Sequence, residues 1–152
     1  MKSKSRVLLA ASAAALLMPA AGMAAGSHTL NVTAVVDGTC TFDSASSPMD
    51  FGTIDPTSLA PATATAAVNF HCSTGTPYTV TLQGVGSYTL TGAVTAASLP
   101  YAAAITGGDT GFGAGMTGAA QTVNVGASIA VADFQNASAD SYTGTLILDV
   151  SP

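Results

Sequence analysis

Ala64-Thr65-Ala66-Ala67-Val68-Asn69-Phe70-His71-Cys72, then Ser73-Thr74-Gly75-Thr76, then Pro77-Tyr78-Thr79-Val80-Thr81-Leu82-Gln83 is the stretch on which the fold turns. In the first run Ala64, Ala66, Val68, Phe70 and Cys72 share one parity, and Thr65, Ala67, Asn69 and His71 take the other. In the second, Tyr78, Val80 and Leu82 alternate with Thr79, Thr81 and Gln83. A period of two places one apolar set on one face of a half-buried strand, and the Gly/Pro cluster between the runs marks a turn. The same alternation continues outward on both sides. Upstream, Leu30, Val32, Ala34 and Val36 oppose Thr29, Asn31 and Thr33, and Gly38 interrupts the pattern before Cys40 and Phe42. Met49-Asp50-Phe51-Gly52-Thr53-Ile54 reads as a short strand ended by Asp55-Pro56. Downstream, weaker strand segments fall around Tyr88–Leu90, Leu99–Ile105, Val123–Val125 and Ile129–Val131. The last run is clear: Tyr142, Leu146, Leu148 and Val150 face one way, Thr143, Thr145 and Asp149 the other. Short strands at this spacing, with no helical period, predict an all-β antiparallel sandwich. Gly107-Gly108-Asp109-Thr110-Gly111-Phe112-Gly113 reads as a flexible loop; no strand-to-helix context makes it a phosphate cradle.

The charges are as uneven as the apolar residues are regular. Lys2, Lys4 and Arg6 are the only fixed cations, and no glutamate accompanies the eight aspartates. A cationic start, the apolar run from Val7 to Met18, Pro19 and then small residues match a secretory signal peptide over residues 1–24. Cleavage is expected after Ala24, with Ala25 as the alternative, and the run is short for a membrane span of about 20 apolar residues. The mature chain then keeps eight aspartates and no fixed cation. Phosphate neutralisation is beyond such a chain, which excludes nucleic acid as a partner, and attraction to anionic lipid fails for the same reason. What remains suits one domain. Export makes a disulfide the default for Cys40 and Cys72, the only cysteines. In the chain-entropy view, closing their loop stabilises the fold by roughly 3.7 kcal/mol.

Catalytic chemistry has little to work with. Glu-based acid/base pairs and a Schiff-base lysine are absent by composition. His28 lies near the mature N-terminus, and His71 is out of phase with Phe70 and Cys72, so it faces solvent or a loop. Serines are plentiful, yet none sits in Gly-x-Ser-x-Gly. The expectation is a protein that is not an enzyme, with no cofactor, metal site or catalytic residue.

Three stretches together resemble a known family. They are Gly38-Thr39-Cys40-Thr41-Phe42, Met49-Asp50-Phe51-Gly52-Thr53-Ile54-Asp55-Pro56, and Val68 to Leu82 with its Cys-x-x-Gly-x-Pro-Tyr core. The combination resembles the spore coat protein U domain, the subunit module of archaic chaperone–usher pili. Ala139-Asp140-Ser141-Tyr142-Thr143-Gly144-Thr145-Leu146 is similar to that family's closing Gly-x-Tyr-x-Asp-x-Leu strand. It departs in carrying Asp140 and Gly144 where glycine and aspartate are usual.

The resemblance implies an immunoglobulin-like sandwich lacking its final strand, so that a hydrophobic groove is left open. It implies a structural pilus (fimbrial) subunit, exported through the periplasm to the cell surface, that polymerises by donor-strand exchange into fibres for adhesion or biofilm formation. The partners it implies are a periplasmic chaperone, an outer-membrane usher, and identical or related subunits joined head to tail. On this reading residues 25–37 are an N-terminal donor extension and 38–152 the sandwich domain. Leu30, Val32, Ala34 and Val36 enter a neighbour's groove, and Tyr142, Leu146, Leu148 and Val150 border the chain's own groove, where a chaperone strand also pairs. By alternation alone, residues 28–36 read as an ordinary first strand in preference to a donor; the resemblance reverses that preference. The alternative function is a secreted, non-polymerising β-sandwich that binds a carbohydrate or surface ligand, with Tyr88 and Phe112 as the loop-proximal aromatics for it.

Overall fold

The computed structural model describes residues 26–84 and 86–152; the signal-peptide reading of residues 1–24 lies outside them. The chain divides into two units at Ala34/Val35. Of the first, residues 26–34 are exposed and without regular secondary structure, Leu30 and Val32 included.

The second unit is all-β apart from one short helix. Its elements are β1 (Cys40–Phe42), β2 (Ala62–Cys72), β3 (Pro77–Leu82), β4 (Ser87–Gly92), β5 (Ser98–Gly107), β6 (Thr110–Phe112), β7 (Gln121–Ile129), α1 (Val131–Gln135), β8 (Tyr142–Thr143) and β9 (Leu148–Ser151). They form a six-stranded sheet in the order β1-β2-β7-β5-β4-β8 and a three-stranded sheet in the order β6-β3-β9. Every pairing is antiparallel. Two antiparallel sheets with inward apolar faces make an immunoglobulin-like sandwich.

The alternation that decides the fold is obeyed. Ala64, Val68, Phe70 and Cys72 on β2, and Tyr78 and Val80 on β3, are buried, and the threonines between them are exposed. Cys40 and Cys72 lie directly opposite in the β1–β2 register and are joined by the expected disulfide. Phe70 bridges the sheets: its ring meets Tyr78 of β3 edge-on at 4.9 Å and Phe42 of β1 at 5.9 Å. Edge-to-face packing of this kind adds about 0.5–1.5 kcal/mol beyond area burial.

Four segments differ from the sequence reading. Met49–Ile54 is not a strand but irregular backbone, although Met49, Phe51 and Ile54 still pack on the core. The glycine-rich run 107–113 is not merely a loop. It ends β5, turns at Gly108-Asp109 and becomes β6, which pairs with β3 and so passes the chain from one sheet to the other. Gly108 has φ +80°, and a Cβ there would strike the Thr122 carbonyl, so the turn needs glycine on both counts. Ile129–Val131 is not a strand of its own; it spans the end of β7 and the start of α1, whose Phe134 is buried. The closing run is split: Tyr142-Thr143 pairs with β4 in the large sheet, and Leu148–Ser151 with β3 in the small one. Its parity holds through the switch, since Tyr142, Leu146, Leu148 and Val150 are all half-buried.

The core falls into two clusters rather than one. Val68, Phe70, Cys72, Tyr78, Val80 and Val123 form the first, sealed between β2–β7 and β3. Leu99, Tyr101, Ala103, Ala127, Ile129 and Phe134 form the second. The three-stranded sheet contributes only the half-buried Leu82 to the second cluster. Its remaining cover is α1 and irregular segments carrying Met49, Phe51, Ile54, Ala137 and Leu146.

Candidate functional site

Strand period explains why the inner face of the large sheet is apolar, but not why part of it lacks a facing strand. A groove of about 1150 Å³ opens along that face. Its floor is made by Ala66, Val68, Val125, Ile129, Leu99 and Tyr101, inward residues of β2, β7 and β5. Phe42 and the irregular segment from Ser44 to Pro56 form one wall; residues 137–148 form the other.

Among the described residues both walls carry backbone without a strand partner: β1 pairs with β2 alone and β9 with β3 alone, so each is an edge strand. Between β8 and β9, residues 144–147 belong to no ladder. Ile147 is fixed through its carbonyl, which accepts from Gln83 N at 2.9 Å. An apolar floor between two unpaired edges is the geometry that takes an added strand: main-chain pairing on both sides, alternate side chains inward.

Of the residues expected to border a groove, Tyr142, Leu146 and Leu148 line it, and Val150 lies beyond it, packed against the first cluster. Of the expected donor residues, Val36 is in the second unit and is 88% exposed, with no ladder partner. The chain between it and β1 is tied down only at Thr39, whose N–H donates to Ser73 Oγ at 3.2 Å and whose carbonyl accepts from Ser73 N at 2.9 Å. Residues 35–38 are exposed chain without regular secondary structure, leading into β1.

Other lining residues carried little or no signal in the sequence. Phe134 sits on a five-residue helix, too short to display a 3.6 period. Leu90 and Leu99 are inward on β4 and β5, and alternation had marked them only as weak strands.

Asp140 was visible only as a departure from the family ending. Its carboxylate accepts from Thr95 N at 2.8 Å, Thr95 Oγ1 at 2.7 Å, Val94 N at 3.0 Å and Ser141 N at 2.7 Å. These bonds, first those from the Thr95 backbone and hydroxyl, hold its pKa down to about 2. Asp55, at the other wall, is lowered in the same sense by the N–H and hydroxyl of Thr57.

His71 Nε2 lies 3.3 Å from Asp43 Oδ1 on the outer face of β1–β2, away from the groove lining. Among the described residues no group of three or more His, Cys, Asp or Glu side chains is placed to hold a metal ion. Tyr88 is not a loop aromatic: it packs on Tyr101 with ring centroids 5.4 Å apart, leaving Phe112 as the exposed aromatic ring among the described residues. Also among the described residues, no helix is long and apolar enough to cross a membrane.

The architecture thus defines an immunoglobulin-like sandwich whose core is left open along one groove. The Spore Coat Protein U domain model matches residues 27–149, and the chain belongs to that family. The match takes in the segment before β1 as well as the sandwich. The family is one of structural, pilus-type domains rather than enzymes, and it points to an exported surface-fibre subunit, which the disulfide fits. No curated protein matches the chain.

Proposed function

We propose that this protein is a structural subunit of a chaperone–usher pilus, polymerising by donor-strand exchange. One observation carries the reading: the open apolar groove between two unpaired edges, in a domain whose family match includes an exposed, alternating segment ahead of β1. The donor is the 28–36 segment of a neighbouring subunit, with Leu30, Val32, Ala34 and Val36 entering the groove in turn. At roughly 1.5–3 kcal/mol for each fully buried large apolar side chain, the leucine and two valines contribute about 5–9 kcal/mol. Backbone pairing along both walls removes the exposed edges at the same time. Until a neighbour arrives, a periplasmic chaperone strand occupies the groove beside Leu146 and Leu148, and an outer-membrane usher performs the exchange. Head-to-tail contacts of this kind propagate without closing, which yields a fibre.

The test is a denaturing gel of sheared surface material, with and without boiling, probed for this chain. The expected result is a ladder at monomer multiples that collapses on boiling. Deleting residues 28–36 should abolish the ladder while leaving export and the disulfide intact. A ladder that survives the deletion removes the donor assignment, and a monomer band in every lane removes the pilus reading in favour of a soluble sandwich.

A further inference from the structure

The groove wall formed by residues 137–148 is attached at few points, which makes each attachment consequential. At its downstream end stand β9 and the Gln83–Ile147 bond. Between them and β8, residues 144–147 have no ladder. At the upstream end β8 supplies two paired positions, Thr91↔Thr143 and Gly92↔Tyr142, and Ala93 N donates to the Ser141 carbonyl at 3.0 Å. Ala137 N donates to the Phe134 carbonyl at 3.2 Å, and Ala137 and Tyr142 pack on the second cluster; the one side-chain carboxylate in that anchorage is Asp140.

The β4–β5 turn is built to receive a carboxylate. Gly92 N donates to the Ala97 carbonyl at 2.8 Å and Ala96 N to the Gly92 carbonyl at 3.1 Å, with Ala96 in the left-handed region at φ 54°. That path turns the successive N–H groups of Val94 and Thr95 toward one point, an anion-binding nest. Asp140 fills it. Thr95 Oγ1 completes the set, donating to Asp140 and accepting from Ala97 N at 3.3 Å. The carboxylate therefore ties two segments 45 residues apart in sequence, one carrying β4 and β5, the other the groove wall. Gly144 makes a second close approach on the same wall: a Cβ there would lie 2.9 Å from Leu90 Cδ2 and 3.1 Å from the Thr89 carbonyl. The two positions at which the chain departs from its family's closing pattern thus both sit where the wall meets β4 or the turn that follows it.

We propose that Asp140 is the positioning residue of the groove: by occupying the β4–β5 turn it fixes the upstream end of the 137–148 wall, and so sets the groove width and the register in which a donor strand pairs. The proposal rests on the donor-strand reading and deepens it. Asp140 acts through Ser141, Tyr142 and the backbone that follows, which lines the groove beside it. A strand entering the groove meets a wall already held in place, and the ordering cost of that wall is met before the strand arrives.

The test uses the full mature chain, as fibres and as unpolymerised subunit, in three forms: wild type, Asp140→Ala and Asp140→Asn. Amide hydrogen exchange is followed in four places: the turn (Val94, Thr95), the wall (Ser141–Leu146), the donor segment (Leu30–Val36) and the sealed cluster (Phe70, Cys72, Tyr78 and Val80). Asp140→Ala should speed exchange several-fold in the turn and wall of the subunit and in the donor segment of the fibre, with Phe70, Cys72, Tyr78 and Val80 unchanged. Asp140→Asn, which keeps one acceptor oxygen, should fall between. The unboiled ladder of Asp140→Ala should also collapse at a lower temperature than that of wild type. Equal acceleration at all four places would make Asp140 a general stability residue and overturn the proposal. Unchanged exchange in the turn and wall would overturn it as well. Absence of a wild-type ladder would count against the donor reading instead, and the subunit exchange data would still decide whether Asp140 holds the wall.

Discussion

The two ends of the sandwich are built from the same β2 and β7 strands and yet are finished to different degrees. At the disulfide end, Val68, Phe70, Val123, Tyr78 and Val80 close between two sheets, with Cys72 fully buried. At the other end Leu99, Tyr101, Ile129 and Phe134 are roofed by irregular chain, and the groove runs along the inner face of β2, β7 and β5. The contrast lies in what covers the sheet rather than in the sheet itself. On the proposed donor-strand reading, such an arrangement separates two requirements: the sealed end holds the subunit's fold, and the open end leaves apolar surface whose burial drives assembly. Substitutions at the sealed end should therefore cost the same in free and assembled protein, and substitutions at the open end should not.

The largest effect is expected at Phe70, whose ring is fully buried and contacts both Phe42 and Tyr78. Phe70→Ala should destabilise by about 3–5 kcal/mol in urea unfolding, with free subunit and fibre equally affected. Next comes the disulfide. Replacing both Cys40 and Cys72 by Ala should cost roughly 3.7 kcal/mol through the restored freedom of the unfolded chain. Because the link pins β1, one wall of the groove, the same variant should also lose donor pairing. If the double variant loses stability but yields a normal ladder, β1 is not a necessary wall.

Leu146→Ala should behave in the opposite way to Phe70→Ala. Leu146 is half-buried on the groove wall, so truncation in the free subunit should cost only about 1 kcal/mol, well under a full core deletion. In the fibre the same side chain would be covered by the incoming strand, and the loss should appear as earlier collapse of the ladder on heating. Equal costs in the two states would mean that the open end is already as finished as the sealed one, and the comparison would fail.

How far this contrast was legible in the sequence depends on the end. β2 and β3 could be read directly, because Val68, Phe70 and Cys72 alternate with Ala67, Asn69 and His71, and Tyr78, Val80 and Leu82 with Thr79 and Thr81. β5 and β7 were faint because their inward positions include Ala103 and Ala127, flanked by outward Ala102, Ala104 and Ser128; small residues on both faces erase the period. Met49–Ile54 imitated a strand because Met49, Phe51 and Ile54 do reach the core, but Gly52 has φ +65° and Asp50 accepts a hydrogen bond from its N–H, which folds the segment instead of extending it. The groove itself left no local trace. Ala66, Val68 and Val125 read as ordinary core, and a missing strand is not written in the residues it would have covered; only the family resemblance pointed to it. Asp140 left a trace without a meaning, since a departure from a motif gains one only when the β4–β5 turn is seen to close around it.

Acid should bring out the smallest difference between the ends. Asp140, with its pKa held near 2 by hydrogen bonds from Thr95, Val94 and Ser141, lines one wall of the groove, and Asp55, lowered by Thr57, lies between Ile54 and Pro56 of the other. A carboxylate whose pKa is depressed on folding lends stability that is fully present above its unfolded value, about 3.9, and is lost as pH falls through the folded value. The window is therefore about pH 4 down to 2, and at pH 5 and above neither group should contribute any pH dependence. Within the window both walls should loosen while the sealed cluster, held by a disulfide and apolar contacts that do not titrate, stays in place. Amide exchange between pH 4 and 2, corrected for its intrinsic pH dependence, should show falling protection at Thr57, Thr95 and Ser141 and constant protection at Phe70, Cys72, Tyr78 and Val80. Uniform loss across the domain would mean that the two ends unfold as one unit, leaving no independently yielding wall for a donor strand to meet.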